Sequence, residues 1–77
     1  MNKERRKKLF EISNQLSLIQ SVLKLLVIED KQAFEQMPTK LQDGPKALKS
    51  LQEHRILSAV ATSVHTAAND LFYLSEG

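Results

Sequence analysis

The sequence predicts an all-α protein in which two long antiparallel helices form a helical hairpin. Apolar residues recur at alternating intervals of three and four over two stretches of the chain, and no stretch alternates as a strand would. Turn-forming residues are concentrated between these stretches, at 37–44. The 77 residues are therefore expected to form a single domain, 1–77, with a basic arm at 1–8 and a loop at 37–44.

The first helix is predicted over about residues 3–36. Its apolar residues follow the spacing of a helix that packs along a narrow seam, and Asp30 is the break in this pattern. Pro38 disfavours helical geometry at Met37, so the helix should end at about residue 36. The expected seam consists of Leu9, Ile12, Leu16, Ile19, Leu23, Leu26, Ala33 and Met37.

The second helix is predicted over about residues 45–75. Pro45 is suited to the first helical turn, with Asp43 or Gly44 as the N-cap. A connection of about eight residues is short enough that the two helices should lie antiparallel. The three-four spacing resumes in the second helix at Leu57, Val60, Val64, Ala67, Leu71 and Leu74.

A single hairpin has a seam but no enclosed core, so its stability would be marginal. The chain has no cysteine with which to form a disulfide. We therefore expect a second copy to complete a four-helix bundle, with a larger assembly through Leu25 and Ile28 as an alternative. Asp30 would fix its register as a lone polar residue. The expected oligomer seam comprises Leu16, Ile19, Leu23, Leu26, Asp30, Leu57, Val60, Val64 and Leu71.

The net charge of +2 conceals a basic end. Five of the eleven basic residues lie in the first eight positions, with Glu4 against them, so this end carries +4 and the remainder −2. Cations at a helix N-terminus weaken the first turn, and a phosphate-rich partner would neutralise them. A frayed, solubilising end is the alternative. No aromatic residue lies among them, which disfavours binding of single strands. The candidate binding residues are Lys3, Arg5, Arg6, Lys7 and Lys8.

The loop and its flanks form a second candidate contact surface. Four residues with apolar side chains gather here, and they favour a plug that seals the end of a bundle over a knob that docks a partner. The residues are Phe34, Met37, Pro38 and Leu41.

No catalytic residue, metal site or cofactor is predicted. Glu29, Asp30 and Glu35 are acidic, but di-metal sites in helical bundles need a Glu-x-x-His motif on facing helices, which the sequence lacks. His54 and His65 are expected to be surface residues, three turns apart on one helix.

The end of the second helix should meet the basic start of the first. In an antiparallel hairpin, Phe72 and Tyr73 would lie near the basic residues, where a cation–π contact with Arg5 or Arg6 is one arrangement. Such a contact would tie the two ends of the chain together.

The sequence predicts neither export nor a membrane partner. Polar residues interrupt the apolar stretch that a secretory signal needs. The most apolar window, residues 16–28, contains Gln20 and Lys24 and is shorter than the ~20 apolar residues of a spanning helix. We expect the protein to be cytoplasmic.

The basic start at residues 3–9 is followed by a heptad helix, a distinctive central segment and an alanine-spaced second helix. This order of segments resembles a group of small helical proteins found in tailed phages and prophages. The central segment that carries the resemblance is Glu29-Asp30-Lys31-Gln32-Ala33-Phe34-Glu35-Gln36-Met37-Pro38-Thr39-Lys40-Leu41-Gln42.

The resemblance implies a non-enzymatic accessory protein of a mobile element. Proteins of that kind act by binding a host protein, for host takeover or for inhibition of host defence, which would place this chain in the host cytoplasm. Three alternatives stay open: a nucleic-acid-binding factor acting through its basic end, a structural spacer in a virion, and an oligomeric sponge for a nucleotide signal. The sponge would hold its ligand between protomers with Arg5, Arg6, Phe72 or Tyr73.

Overall fold

The computed structural model describes residues 1–38 and 43–77, which form a two-helix hairpin. Helix α1 spans Lys3–Glu35 and helix α2 spans Pro45–Glu76. The helices are antiparallel, since Phe10 lies beside Phe72 at one end and Asp30 beside His54 near the other. The molecule is a rod with extents of 58 × 15 × 12 Å. The all-α hairpin predicted from the apolar spacing is confirmed.

Helix α1 begins with an N-cap that the sequence analysis missed. The side-chain oxygen of Asn2 accepts a hydrogen bond of 2.9 Å from the backbone N–H of Arg5, which satisfies one of the free donors of the first turn. Glu4 adds a negative charge in that turn, where it complements the helix dipole. Residues Lys3 to Lys8 are therefore the first two turns of α1.

The remaining helix ends follow the sequence. The α1 helix ends before Gln36, whose N–H donates to the carbonyl oxygen of Gln32 at 2.9 Å, so its end is within one residue of the expected position. Gly44 is the N-cap of α2 and Pro45 its first residue, as expected. Proline suits this position because its missing N–H would have no helical partner there.

The seam between the helices is phased differently from the prediction. Every second seam residue is the expected one, but at the positions between them the seam residue is the next one along the chain. At all of these positions except Ala68, which replaces Ala67, this residue is smaller or more polar than the expected one. Ser13 and Ala68 are only 2% and 4% exposed, because small side chains let helix backbones approach closely. The seam runs through Leu9, Ser13, Leu16, Gln20, Leu23, Val27 and Asp30 on α1, and through His54, Leu57, Ala61, Val64, Ala68 and Leu71 on α2.

The larger residues displaced from this seam form an exposed apolar face along one side of the rod. They are between 43% and 65% exposed, and a hollow between the helices on this side is lined by Leu16, Val60 and Ala67. A hollow on the opposite side is lined by polar residues that include Gln20 and Thr62. We define the apolar face as Ile12, Ile19, Leu26, Ile56, Val60 and Leu74.

The hairpin encloses very little apolar surface by itself. In the described part of the chain, Ala47 and Ala68 are the buried apolar residues, and no large side chain is fully buried. Among these residues, neither helix contains an apolar stretch of the length needed to cross a membrane. Packing within one chain is therefore confined to a single narrow seam.

Candidate functional site

The antiparallel arrangement brings the basic start of α1 beside the end of α2. An open hollow of about 520 Å³ lies there, and both helices contribute to its lining. Met1, Ser75 and Glu76 complete its rim. We define the basic hollow as the cationic and aromatic residues that line it, which are Lys3, Arg6, Lys7, Phe10 and Phe72.

Helical spacing selects which basic residues belong to the hollow. Lys3 is three residues from Arg6 and four from Lys7, and Phe10 is four residues from Arg6 and three from Lys7, so all four lie on one side of α1. Arg5 and Lys8 are exposed and do not line the hollow. The structure therefore brings together three of the five basic residues selected from the sequence.

Two aromatic rings lie beside these cations. The ring centroids of Phe10 and Phe72 are 6.1 Å apart with an interplanar angle of 42°, a tilted arrangement that aromatic pairs favour. Each residue is 44% exposed. In place of the expected cation–π contact to Arg5 or Arg6, Phe72 therefore has Phe10 as its ring partner.

No aromatic residue lies within residues 3–8, but two aromatic residues join the basic ones in the hollow. Phe10 lies seven residues after Lys3, on the same side of the helix, and Phe72 arrives from the other end of the chain. The seven-residue spacing could have identified Phe10. Phe72 was expected near the basic residues from the antiparallel arrangement of the helices, and the structure places it in the hollow.

Arg6 occupies a special position at the end of the rod. It is half-buried, its guanidinium lies against Gly77, and it also lines a second hollow of about 430 Å³ with Tyr73 and Leu74. Its Nε atom is buried and has no hydrogen-bond acceptor among the described residues. A buried donor without an acceptor costs about 1–3 kcal/mol, so an acceptor supplied by a bound molecule would recover part of that free energy.

The loop end of the rod is partly covered. Phe34 and Met37 are half-buried and Pro38 is exposed; Leu41 lies outside the described residues. Met37 and Pro45 line a hollow at this end. The covered side chains of Phe34 and Met37 fit the interpretation of a plug better than that of an exposed knob.

Asp30 is in the seam, as expected, and its partner is His54. The Nδ1 atom of His54 donates to Oδ2 of Asp30 at 2.8 Å, and the two side chains are 27% and 39% exposed. The expectation of a surface His54 was wrong, because the register places it opposite Asp30. The Nζ atom of Lys31, the residue next to Asp30, lies 3.9 Å from a carboxylate oxygen of Glu35.

His65 is exposed, as expected, and its Nε2 accepts from the side-chain amide of Asn69 at 3.2 Å. Across residues 1–38 and 43–77, no three His, Cys, Asp or Glu side chains are grouped closely enough to hold a metal ion. The basic hollow is thus the place where charged and aromatic side chains converge from both helices.

Comparisons with protein-family models, with curated proteins and with solved structures gave no match to this chain.

Proposed function

We propose that the chain is a non-enzymatic accessory protein of phage type that binds a host protein through the basic hollow. The observation that carries this proposal is the meeting of Lys3, Arg6 and Lys7 with the exposed rings of Phe10 and Phe72. Arginine and aromatic side chains contribute a large share of the binding energy at protein interfaces. The resemblance to small phage and prophage proteins supports a host protein as the partner.

The chemistry of the hollow defines the partner surface. Lys3 and Lys7 contribute exposed cations to the lining, and Arg6 contributes a guanidinium whose buried Nε donor has no acceptor among the described residues. A partner with two or more carboxylates around an apolar side chain would match this arrangement, because the opposite charges steer association and the rings take up the apolar group. The expected partner surface is therefore acidic with an apolar centre.

Capture from a host lysate with matched charge-reversal variants tests this proposal. The site variant is Lys3→Glu with Lys7→Glu, and the control is Lys46→Glu with Lys49→Glu near the loop end, which changes the net charge by the same amount. We expect the wild type and the control to retain the same host protein and the site variant to lose it, with helicity unchanged by circular dichroism. Equal retention by both variants would exclude the basic hollow as the binding site.

A nucleic acid is the second candidate partner, because the fold places two aromatic rings beside three cations. Bases stack on such rings while cations hold the phosphates. Anisotropy of a labelled single strand against salt concentration tests this: three phosphate contacts give a log-log slope of about −2, and Phe72→Ala should weaken binding. An absence of binding in low salt removes this candidate.

A nucleotide held between protomers is a third candidate ligand, because Arg6 and Phe72, two of the residues expected to hold it, line the basic hollow. A ligand that binds only the folded chain raises its melting temperature, so a thermal scan against a panel of nucleotides checks this third ligand class. A panel that leaves the melting temperature unchanged removes the sponge hypothesis.

A further inference from the structure

We propose that the apolar face is covered by a second copy of this chain, related by a two-fold axis that is perpendicular to the rod and passes near Ile19. The two hairpins would then form a four-helix bundle with their loops at opposite ends. This proposal goes beyond the proposed function, since it concerns a different surface and another partner.

The chain exposes more surface than a compact monomer of its mass, and the excess is large enough to form such an interface. The chain exposes 6286 Å², whereas a compact monomer of 8.7 kDa exposes about 4,700 Å². The excess of about 1,500 Å² per chain is larger than the ~800 Å² per partner of a standard interface and is typical of obligate dimers.

The distribution of residues between seam and face supports the same conclusion. On α1, Ser13 and Gln20 face α2, whereas the neighbouring Ile12 and Ile19 are 43% and 50% exposed. A helix in a four-helix bundle contacts two neighbours, so its largest apolar residues face the bundle centre and smaller ones flank it. Ile12 and Ile19 fit the role of residues that face the bundle centre, and Ser13 and Gln20 fit the role of the smaller or more polar residues that flank it.

A second copy suits the face because α1 and α2 present similar surfaces on this side. Ile12, Ile19 and Leu26 on α1 have counterparts in Val60 and Leu74 on α2. A two-fold axis sets the same patch of both chains face to face, so the apolar residues of one copy would cover those of the other.

Charges at the border of the face select the direction of the axis. Lys8 and Glu29 lie on this border, separated by whole heptads and both exposed. An axis along the rod would pack α1 against α2 of the second copy, with Lys8 level with Lys8 and Glu29 level with Glu29, so neither residue would meet the opposite charge of the other. A perpendicular axis near Ile19 brings Lys8 level with Glu29 of the second copy.

Sedimentation equilibrium over a range of concentrations tests the interface. We expect the wild type to have twice the mass of 8.7 kDa, and Ile19→Glu to shift the mass to that of a monomer. The matched control is Leu18→Glu, at the next position. Leu18 is 72% exposed on the side of α1 that faces away from α2, so this variant should stay dimeric.

A distance measurement tests the orientation and does not depend on a disruptive variant. The chain has no cysteine, so Glu4→Cys carries a single spin label. At 1.5 Å per residue from Ile19, the two labels of a perpendicular dimer should be about 45 Å apart. An axis along the rod would leave them within about 20 Å, the width of two helices.

A wild type that stays monomeric at every concentration would overturn the proposal. It would also be overturned by a dimer that Leu18→Glu dissociates and Ile19→Glu does not, or by a short distance between the labels. If Ile19→Glu unfolds as it dissociates, the long label distance in Glu4→Cys still supports the bundle. A failure of these tests leaves the basic hollow unaffected, because its assay uses other variants.

Discussion

The hydrogen bond between Asp30 and His54 offers a sharp test of the hairpin register, through a double-mutant cycle. The variants are Asp30→Ala, His54→Ala and the combination of both. If Nδ1 of His54 donates to Oδ2 of Asp30 as observed, each single variant loses the bond. The double variant should then be less destabilised than the sum of the two single variants.

The size of the coupling follows from the distance and from the exposure of the pair. Exposed ion pairs contribute about 0.2–1 kcal/mol, and hydrogen bonds to charged groups contribute about 1.5–3 kcal/mol. The bond is short at 2.8 Å, yet the side chains are 27% and 39% exposed. We therefore expect a coupling free energy of about 1 kcal/mol, which corresponds to roughly 4–8 °C in melting temperature for a domain of this size.

Urea unfolding at one fixed protein concentration is the assay, because association changes the apparent stability. Lys31 and Glu35 supply the control cycle: they are 3.9 Å apart with side chains 68% and 61% exposed, so their coupling should be about 0.3 kcal/mol. A coupling for Asp30 and His54 no larger than that of the control pair would refute the register of the helices at this level.

Three further substitutions test individual features of the hairpin. Ala68→Leu should lower stability by about 1–3 kcal/mol, since Ala68 is 4% exposed and a larger side chain there would be overpacked; an unchanged thermal midpoint would contradict the close packing of the helices at Ala68. Asn2→Ala should cost about 1 kcal/mol and speed amide exchange at Arg5, and unaltered exchange at that amide would count against the cap. Pro45→Ala should cost about 0.4–1 kcal/mol in urea unfolding through the entropy of the unfolded chain, and a gain in stability would argue against Pro45 in the first turn.

The helices could be predicted because their signals are local. Apolar spacing specifies a helix wherever it recurs, and Gly44-Pro45 is a signal that acts within one turn. The phase of the seam was harder to predict. Ile12 and Ser13 are neighbouring residues, and either can fill the position between Leu9 and Leu16 in the three-four spacing. A choice of the larger apolar residue places Ile12 in the seam. Ser13 allows the two helices to approach closely only where the facing residue of α2 is also small. The spacing of apolar residues along α1 carries no information about that residue.

The candidate site could be predicted only in part, for a related reason. The basic cluster is contiguous in sequence, so Lys3, Arg6 and Lys7 were identified directly. The antiparallel arrangement alone placed Phe72 near the basic end, but its pairing with Phe10 and the pairing of His54 with Asp30 depend on which residues of α2 lie opposite which residues of α1. That register is set by packing along the whole seam, which no local pattern contains.

The order of contacts along the hairpin has a consequence for how the chain opens. Residues near the loop meet after a short chain segment, such as Asp30 and His54 at a separation of 24 residues, whereas Phe10 and Phe72 are joined by most of the chain. Closing a longer segment costs more entropy. The two helices should therefore associate first near the loop and separate first at the basic hollow. A molecule bound in the hollow would therefore suppress the separation of the helices at that end of the rod. As its concentration is raised, amide exchange near Lys7 would slow before exchange near Asp30.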